Sequence, residues 1–434
     1  MQPPKPSADR PEVKLHRAWI VALVTLGALV AAAAFRSSTG VLMEPIEREF
    51  GWDRTTTSFA VTLNLVLYGL VAPFAAAVME RWGIRRTVTI ALVAVGLASG
   101  ATTLMTQSWQ LWLLWGLVIG VGTGCMALVF GAIVANRWYV ARRGLATGIF
   151  SAANATGQMV FLPVIAWSAE NHGWRTAALV VAGLALASAF LVALFLLDRP
   201  SDAGLLPYGA PTGYVEPPAT LHHPVRRAIV VLVGSSKRWS FWALVLTFWV
   251  CGWSTNGLIQ THFINAAQDH GMGTTVAAGL LATIGMFDVI GTLASGWLTD
   301  RVDPRYLLLA YYGLRGLSLF ALNSLLGPTV ALPMWAFIIF YGLDWVATVP
   351  PTVALCRIHF GLTDSGVVFG WVFASHMVGA GVGATLAGVL RQSQGSYATA
   401  WLVAAILCLI AAGLAMTIPK VREISPVQDP APVH

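Results

Sequence analysis

The sequence predicts an all-α membrane protein whose twelve spanning helices form two related six-helix halves. Three observations predict it. Of 434 residues, 57% are hydrophobic and only 10% charged, with a mean hydropathy of +0.71, too little charge to cover a soluble protein of this length. Twelve apolar stretches recur, each of roughly 20 residues and long enough to cross a ~30 Å hydrocarbon core. Polar landmarks also repeat at a nearly constant offset along the chain. The spans must be helical, because lipid offers no partner to an unpaired backbone and each stretch is too long for a barrel strand.

In order, the spans run at about 18–41, 57–79, 87–106, 110–135, 143–168, 174–197, 239–263, 275–299, 305–326, 332–355, 364–390 and 396–418. The first carries the small-residue run Ala31 to Ala34, as a cleaved leader would. It is too long for a leader's apolar core and eleven similar spans follow, so it is expected to remain. The longest polar stretch, 198–238, holds Pro200, Pro207, Pro211, Pro217, Pro218 and Pro224 with His222 and His223. That composition suits a linker better than a folded domain. The expected organisation is a tail at 1–17, a bundle at 18–197, the linker at 198–238, a second bundle at 239–418 and a tail at 419–434.

The net charge of +7 and pI near 9.5 could point to nucleic acid, but the placement of the charges argues against it. Twenty of the 26 lysines and arginines fall on the side of the two termini and the linker. Only Arg48, Arg54, Arg175 and Arg391 fall opposite, and Arg36 and Arg315 lie within spans. Such a bias places both termini in the cytoplasm. The basic balance therefore reflects topology, and no nucleic-acid partner is expected. Cys125, Cys251, Cys356 and Cys408 lie in or at the ends of apolar spans without metal-ligand spacing, so free thiols and no metal are expected. No phosphate-binding GxxxxGK[ST] loop, zincin motif or nucleophile elbow occurs, so neither a cofactor nor an enzyme activity is expected. Short loops favour a bacterial inner membrane, and two halves in one chain favour a monomer.

The halves echo each other. Glu80-Arg81 and Asp300-Arg301 are offset by 220, as are Arg137 and Arg357, while Gly148 and Gly157 match Gly370 and Gly379 at 222. Parallel repeats with a site between them are the plan of a secondary transporter.

The loop Glu80-Arg81-Trp82-Gly83-Ile84-Arg85-Arg86 resembles the signature between helices two and three of the major facilitator superfamily. Gly296-Trp297-Leu298-Thr299-Asp300-Arg301, with Arg305, resembles its second copy. The resemblance covers about residues 18–418 and implies the major facilitator fold, two pseudo-symmetric six-helix bundles. Acid and guanidinium groups at helix ends can form charge-assisted bonds that latch one state, so Glu80, Arg81, Arg85, Asp300 and Arg301 are the expected latch. The run from Arg137 through Trp138, Arg142, Arg143 and Gly144 to Gly148, with Gly157 beyond, resembles the helix-five signature of the monocarboxylate transporters and their bacterial relatives, which include oxalate–formate exchangers. Arg36 falls where that family carries a basic residue, and Glu49-Phe50-Gly51-Trp52 follows as in bacterial members. Asp288 matches a family aspartate, but Thr292 stands where the family has a partner arginine; Arg315 on the ninth span is the candidate replacement.

An ionised group at bilayer depth is costly unless paired or wetted, so Asp288, Arg315 and Asp344 mark a polar pathway. Arg36 could meet a carboxylate bidentately or extend to the membrane interface. Arg315 could pair with Asp288 or Asp344, or reach substrate. One arginine cannot fully neutralise two acids, which makes Asp288 and Asp344 the candidates for proton coupling. Tyr68, Asn154, Asn256 and Tyr341 complete the expected substrate-binding set, against the ordinary alternative of helix-to-helix hydrogen bonding. Trp253, Asn256 and Gln260 fall on one helical stripe. The expected function is proton-coupled movement of a small organic anion, a monocarboxylate above all, across the lipid bilayer by alternating access. A proton-driven multidrug-type exporter and an anion exchanger are the alternatives.

Overall fold

The computed structural model describes residues 16–211, 213–216 and 223–420. Each predicted span lies on a helix. In chain order these are α1 (Arg17–Phe50), α2 (Arg54–Trp82), α3 (Ile84–Thr102), α4 (Ser108–Trp138), α5 (Arg143–His172), α6 (Trp174–Phe195), α7 (Trp239–Asp269), α8 (Thr274–Thr299), α9 (Pro304–Leu325), α10 (332–360), α11 (362–394) and α12 (Ala398–Met416). Among the described residues, nine helical stretches are long and apolar enough to cross a membrane, the 63-residue stretch Leu332–Gln394 counting once. That stretch is two helices, divided at Gly361, whose φ of 74° lies in the left-handed region where glycine pays no steric cost. The twelve-helix count is consistent with this.

Local chemistry sets the ends. Asp53 caps α2 by accepting the Thr56 N–H at 2.8 Å. The first helix runs past its expected end at residue 41 to Phe50. The Glu49 carboxylate there accepts the Trp174 indole N–H and an Arg175 N–H of α6, both at 2.7 Å. Phe50 stacks on Trp52 with centroids 4.6 Å apart. The Glu49–Trp52 run thus fastens the far end of α1 to α6.

The stretch between the bundles carries local structure. Residues Pro200–Ala203 form a 3-10 turn, Tyr208 pairs with Tyr139 as an isolated β-bridge, and Pro224–Ser236 form a helix, here the linker helix. Proline composition concealed it because Pro224 occupies the first helical turn, where its missing N–H costs nothing.

The duplication is physical. A Cβ on Gly148 of α5 would lie 2.7 Å from the Thr292 carbonyl oxygen of α8, and one on Gly370 of α11 would lie 2.5 Å from Pro73 Cα of α2. Likewise Gly157 abuts Val30 of α1, and Gly379 abuts Trp249 of α7. Matched glycines thus let matched backbones touch, the first pair between bundles and the second pair within them. The cross-bundle contacts lie towards the end that carries Arg81, Arg137 and Arg301, hereafter the basic end. In α5, residues 150–153 are all buried, whereas 159–164 are all exposed except Phe161. In α2, residues 72–77 are buried except Phe74, while only Asn64 is buried within 61–66. The bundles meet at the basic end and part towards the other.

Candidate functional site

Asp288, Arg315 and Asp344 converge on one defect. Helix α10 is interrupted at residues 345–348, where the backbone turns between Asp344 and Val349. Such a break frees backbone groups that lipid cannot satisfy. Neighbouring side chains satisfy them. Asp288 of α8 accepts the Val346 N–H at 3.0 Å, and Ser295 donates to the Ala347 carbonyl at 2.5 Å. Arg315 of α9 donates from Nη2 to the carbonyls of Asp344 at 2.6 Å and Trp345 at 3.2 Å. Its Nε meets Asp344 Oδ2 at 2.5 Å, and its Nη1 reaches Cys251 Sγ at 3.3 Å and Ser254 Oγ at 3.4 Å on α7. Arg315, Asp344 and Asp288 are 0%, 3% and 2% exposed.

Five donor hydrogens and five contacts leave Arg315 none for a substrate in this conformation. Of its two expected roles, the geometry of this conformation has the ion pair with Asp344. Asp288 is held by Thr292 at 2.8 Å and by the Val346 N–H, with Arg315 only a charge nearby. The threonine that replaces the family's arginine is thus the aspartate's own hydrogen-bond donor. Asp344 Oδ1 is buried with no hydrogen-bond partner.

Tyr341 joins α10 to α7 in this conformation. It is fully buried, stacks on Phe337 at 5.2 Å and donates to the Ser254 carbonyl at 2.9 Å. That carbonyl belongs to a π-helical segment, Trp253–Ile259. The first bundle repeats the device: Asn64 of α2 donates to the Trp115 carbonyl at 2.8 Å, within the π segment Trp112–Ile119 of α4. The wider π turn also undoes the expected stripe, since Trp253 is buried, Asn256 half-buried and Gln260 exposed. Tyr68 is buried edge-on to Phe373, at 5.5 Å across the bundle interface. The side chains of Arg36 and Asn154 lie outside the described residues. By the 220 offset Arg36 of α1 corresponds to Asn256 of α7.

At the basic end, the expected latch residues divide. Asp300 crosses from α8 to accept the Gly144 N–H at 2.7 Å and the Leu145 N–H at 3.1 Å, at the start of α5, where the helix dipole favours an anion. Glu80 of α2 pairs at 3.3 Å with Arg227 of the linker helix, which also pairs with Asp364 of α11 and donates to the Thr363 carbonyl at 3.2 Å. Burial alone would lower the Arg227 pKa; Glu80 and Asp364 more than reverse this, holding it above the ordinary arginine value. Arg81, Arg85 and Arg301, among the described residues, make no cross-bundle ion pair in this conformation. Arg301 instead lies over the Trp297 ring at 3.9 Å, and Arg85 meets Asp198 only through its backbone N–H, at 2.7 Å. Sequence reasoning missed Arg227 and Asp364. The signal was a basic pair one residue inside a proline-started helix, read only as linker charge.

The Major Facilitator Superfamily model matches residues 24–371. The chain belongs to the major facilitator superfamily. Within it, an uncharacterized MFS-type transporter, YcxA of Bacillus subtilis, is 24% identical over 93% of this chain and 94% of its own. Monocarboxylate transporter 13 of Rattus norvegicus is 27% identical over 92% of this chain and 89% of its own. This superfamily member is thus a multi-pass membrane transporter related to the monocarboxylate transporters. Among solved structures, the fucose transporter FucP in its outward conformation superposes with a TM-score of 0.68 at 15% identity, covering 93% of this chain and all of its own. The proton:xylose symporter XylE gives 0.71 at 15% identity, covering 93% and 96%. At that identity they speak to the fold.

Proposed function

We propose that this transporter moves a small organic anion, a monocarboxylate above all, together with a proton, by rocking of the 18–197 and 239–418 bundles. The observation that carries the proton step is the imbalance at the α10 break. Two buried carboxylates lie beside one guanidinium, which pairs with Asp344 alone, and Asp344 Oδ1 has no donor. A buried charge that is incompletely compensated is costly, so a proton on Asp344 or Asp288 relieves the site and loosens the carboxylate's hold on Arg315 or the α10 backbone, and its release restores that hold. The anion step rests on Arg36, whose guanidinium suits a carboxylate, and on relatives named as monocarboxylate transporters. In this reading the basic end faces the cytoplasm of a bacterial inner membrane, both termini lie on that side, the parted end faces outward, and the monomer is the working unit. Asn256, Asn154 and Tyr68 lie on the helices that would line the path.

Proteoliposome uptake of labelled monocarboxylates, with and without an inward proton gradient, tests the proposal. Wild type should accumulate substrate only with the gradient, and Arg36→Ala should abolish uptake. Asp344→Asn should keep substrate exchange but lose the gradient drive. Uptake indifferent to both gradient and Arg36 would sink the proposal, as would gradient-driven export of cationic drugs instead.

A further inference from the structure

The linker helix has two faces. Pro224, Arg227, Ala228, Val231 and Ser235 are buried. On that inner side the Trp371 indole of α11 donates to the Ala228 carbonyl at 3.1 Å. The outer face is uncovered and largely aliphatic: Val225, Ile229, Val230 and Val233 are 48%, 48%, 38% and 53% exposed. Arg226 and Lys237 are exposed beside it. Four branched aliphatics on the outside of a 13-residue helix are not explained by the inter-bundle clasp, which uses only the other face.

Position decides what covers them. Only Lys237 and Arg238 separate this helix from α7, so it lies at the depth where a spanning helix leaves the bilayer. The first turn of α7 carries Trp239 and Trp242, 51% and 44% exposed, residues that favour the headgroup region. The Trp242 indole donates back to the Ser236 carbonyl at 2.8 Å, joining the two helices. A helical face of aliphatic residues with Arg226 and Lys237 among them, held at that level, suits an interface of anionic lipid.

We propose that the outer face of the linker helix docks on anionic headgroups of the surrounding bilayer and so holds Arg227 in its cross-bundle position. Lipid charge would then set how firmly the basic end closes. The inference takes from the proposed function only that the two bundles move relative to each other. It needs no substrate, so a failed uptake assay would leave its test intact.

The test uses the full chain in nanodiscs of phosphatidylcholine alone or with phosphatidylglycerol. Hydrogen exchange is followed at residues 224–236, together with the distance between spin labels on Arg86→Cys and Tyr306→Cys at the basic end. Exchange in the wild-type linker helix should slow roughly tenfold with the anionic lipid. The basic end should close further, and high salt should reverse both changes. Arg226→Gln/Lys237→Gln, which leaves the inner face intact, should lose the response to lipid. Wild-type exchange that is equal in both lipids would overturn the docking, as would a double variant that responds like wild type. Slowed exchange without a change in the label distance would overturn the link to Arg227. Unchanged protection of α7 and α8 shows that the variant is folded.

Discussion

Duplication placed Glu80 and Asp300 at equivalent helix ends, yet the two crossings they guard are closed by different chemistry. At α5–α8, Asp300 reaches the neighbouring backbone directly and caps two N–H groups, while Gly144, Gly148 and Gly296 bring the chains into contact. At α2–α11, Glu80 meets a third element, the linker helix, whose Arg227 bridges it to Asp364. The 222 offset makes Arg142, the cap residue just before α5, the counterpart of Asp364 of α11. An acid at the head of α11 needs a cation between it and Glu80, and the linker supplies one. The first crossing is a charge held by a helix dipole; the second is an ion triad that exists only while the linker helix is seated. Two halves of common origin can therefore be gated independently.

The largest effect should come from the triad. Arg227→Gln removes the cation that bridges Glu80 and Asp364, a loss of about 3–5 kcal/mol for a broken buried pair. The basic end should then open, read as a longer distance between the Arg86→Cys and Tyr306→Cys labels. An unchanged distance would show that the triad does not close this crossing. Next come the glycines. Gly148→Ala and Gly370→Ala each set a methyl against backbone that cannot give way, costing about 1–3 kcal/mol of overpacking. Both should shift the labels towards the open distance, and Gly370→Ala should add little to Arg227→Gln because both act on one crossing. Full additivity would break the assignment of the two crossings as separate units. Asp300→Ala removes a cap and should shift the open fraction by about tenfold at most. The smallest effect belongs to Arg301→Gln, whose side chain lies over its own helix's Trp297. The label distance should not move, and a shift as large as that of Asp300→Ala would return Arg301 to the latch.

Much of this architecture was legible in the order of residues. Spans are legible because each lipid-exposed helix must be apolar along its own length and satisfy its own backbone, which are local and additive requirements. Duplication is legible as an offset between Glu80 and Asp300 or between Gly148 and Gly370. The grouping of Asp288, Arg315 and Asp344 is legible too, since buried charges must find one another. What each does there is not. Whether Arg315 faces a substrate or a broken backbone depends on residues 345–348 losing their helical hydrogen bonds; Pro350 and Pro351 mark that loss in the sequence, but which side chains meet the freed groups is set by packing. Likewise nothing near Arg227 in the chain reveals Glu80 or Asp364, which lie more than a hundred positions away on either side. Hydropathy, charge bias and repetition belong to segments, so the chain alone carries them. Ion pairing, capping across bundles and the end at which the bundles part belong to the distances between segments, and only packing sets those.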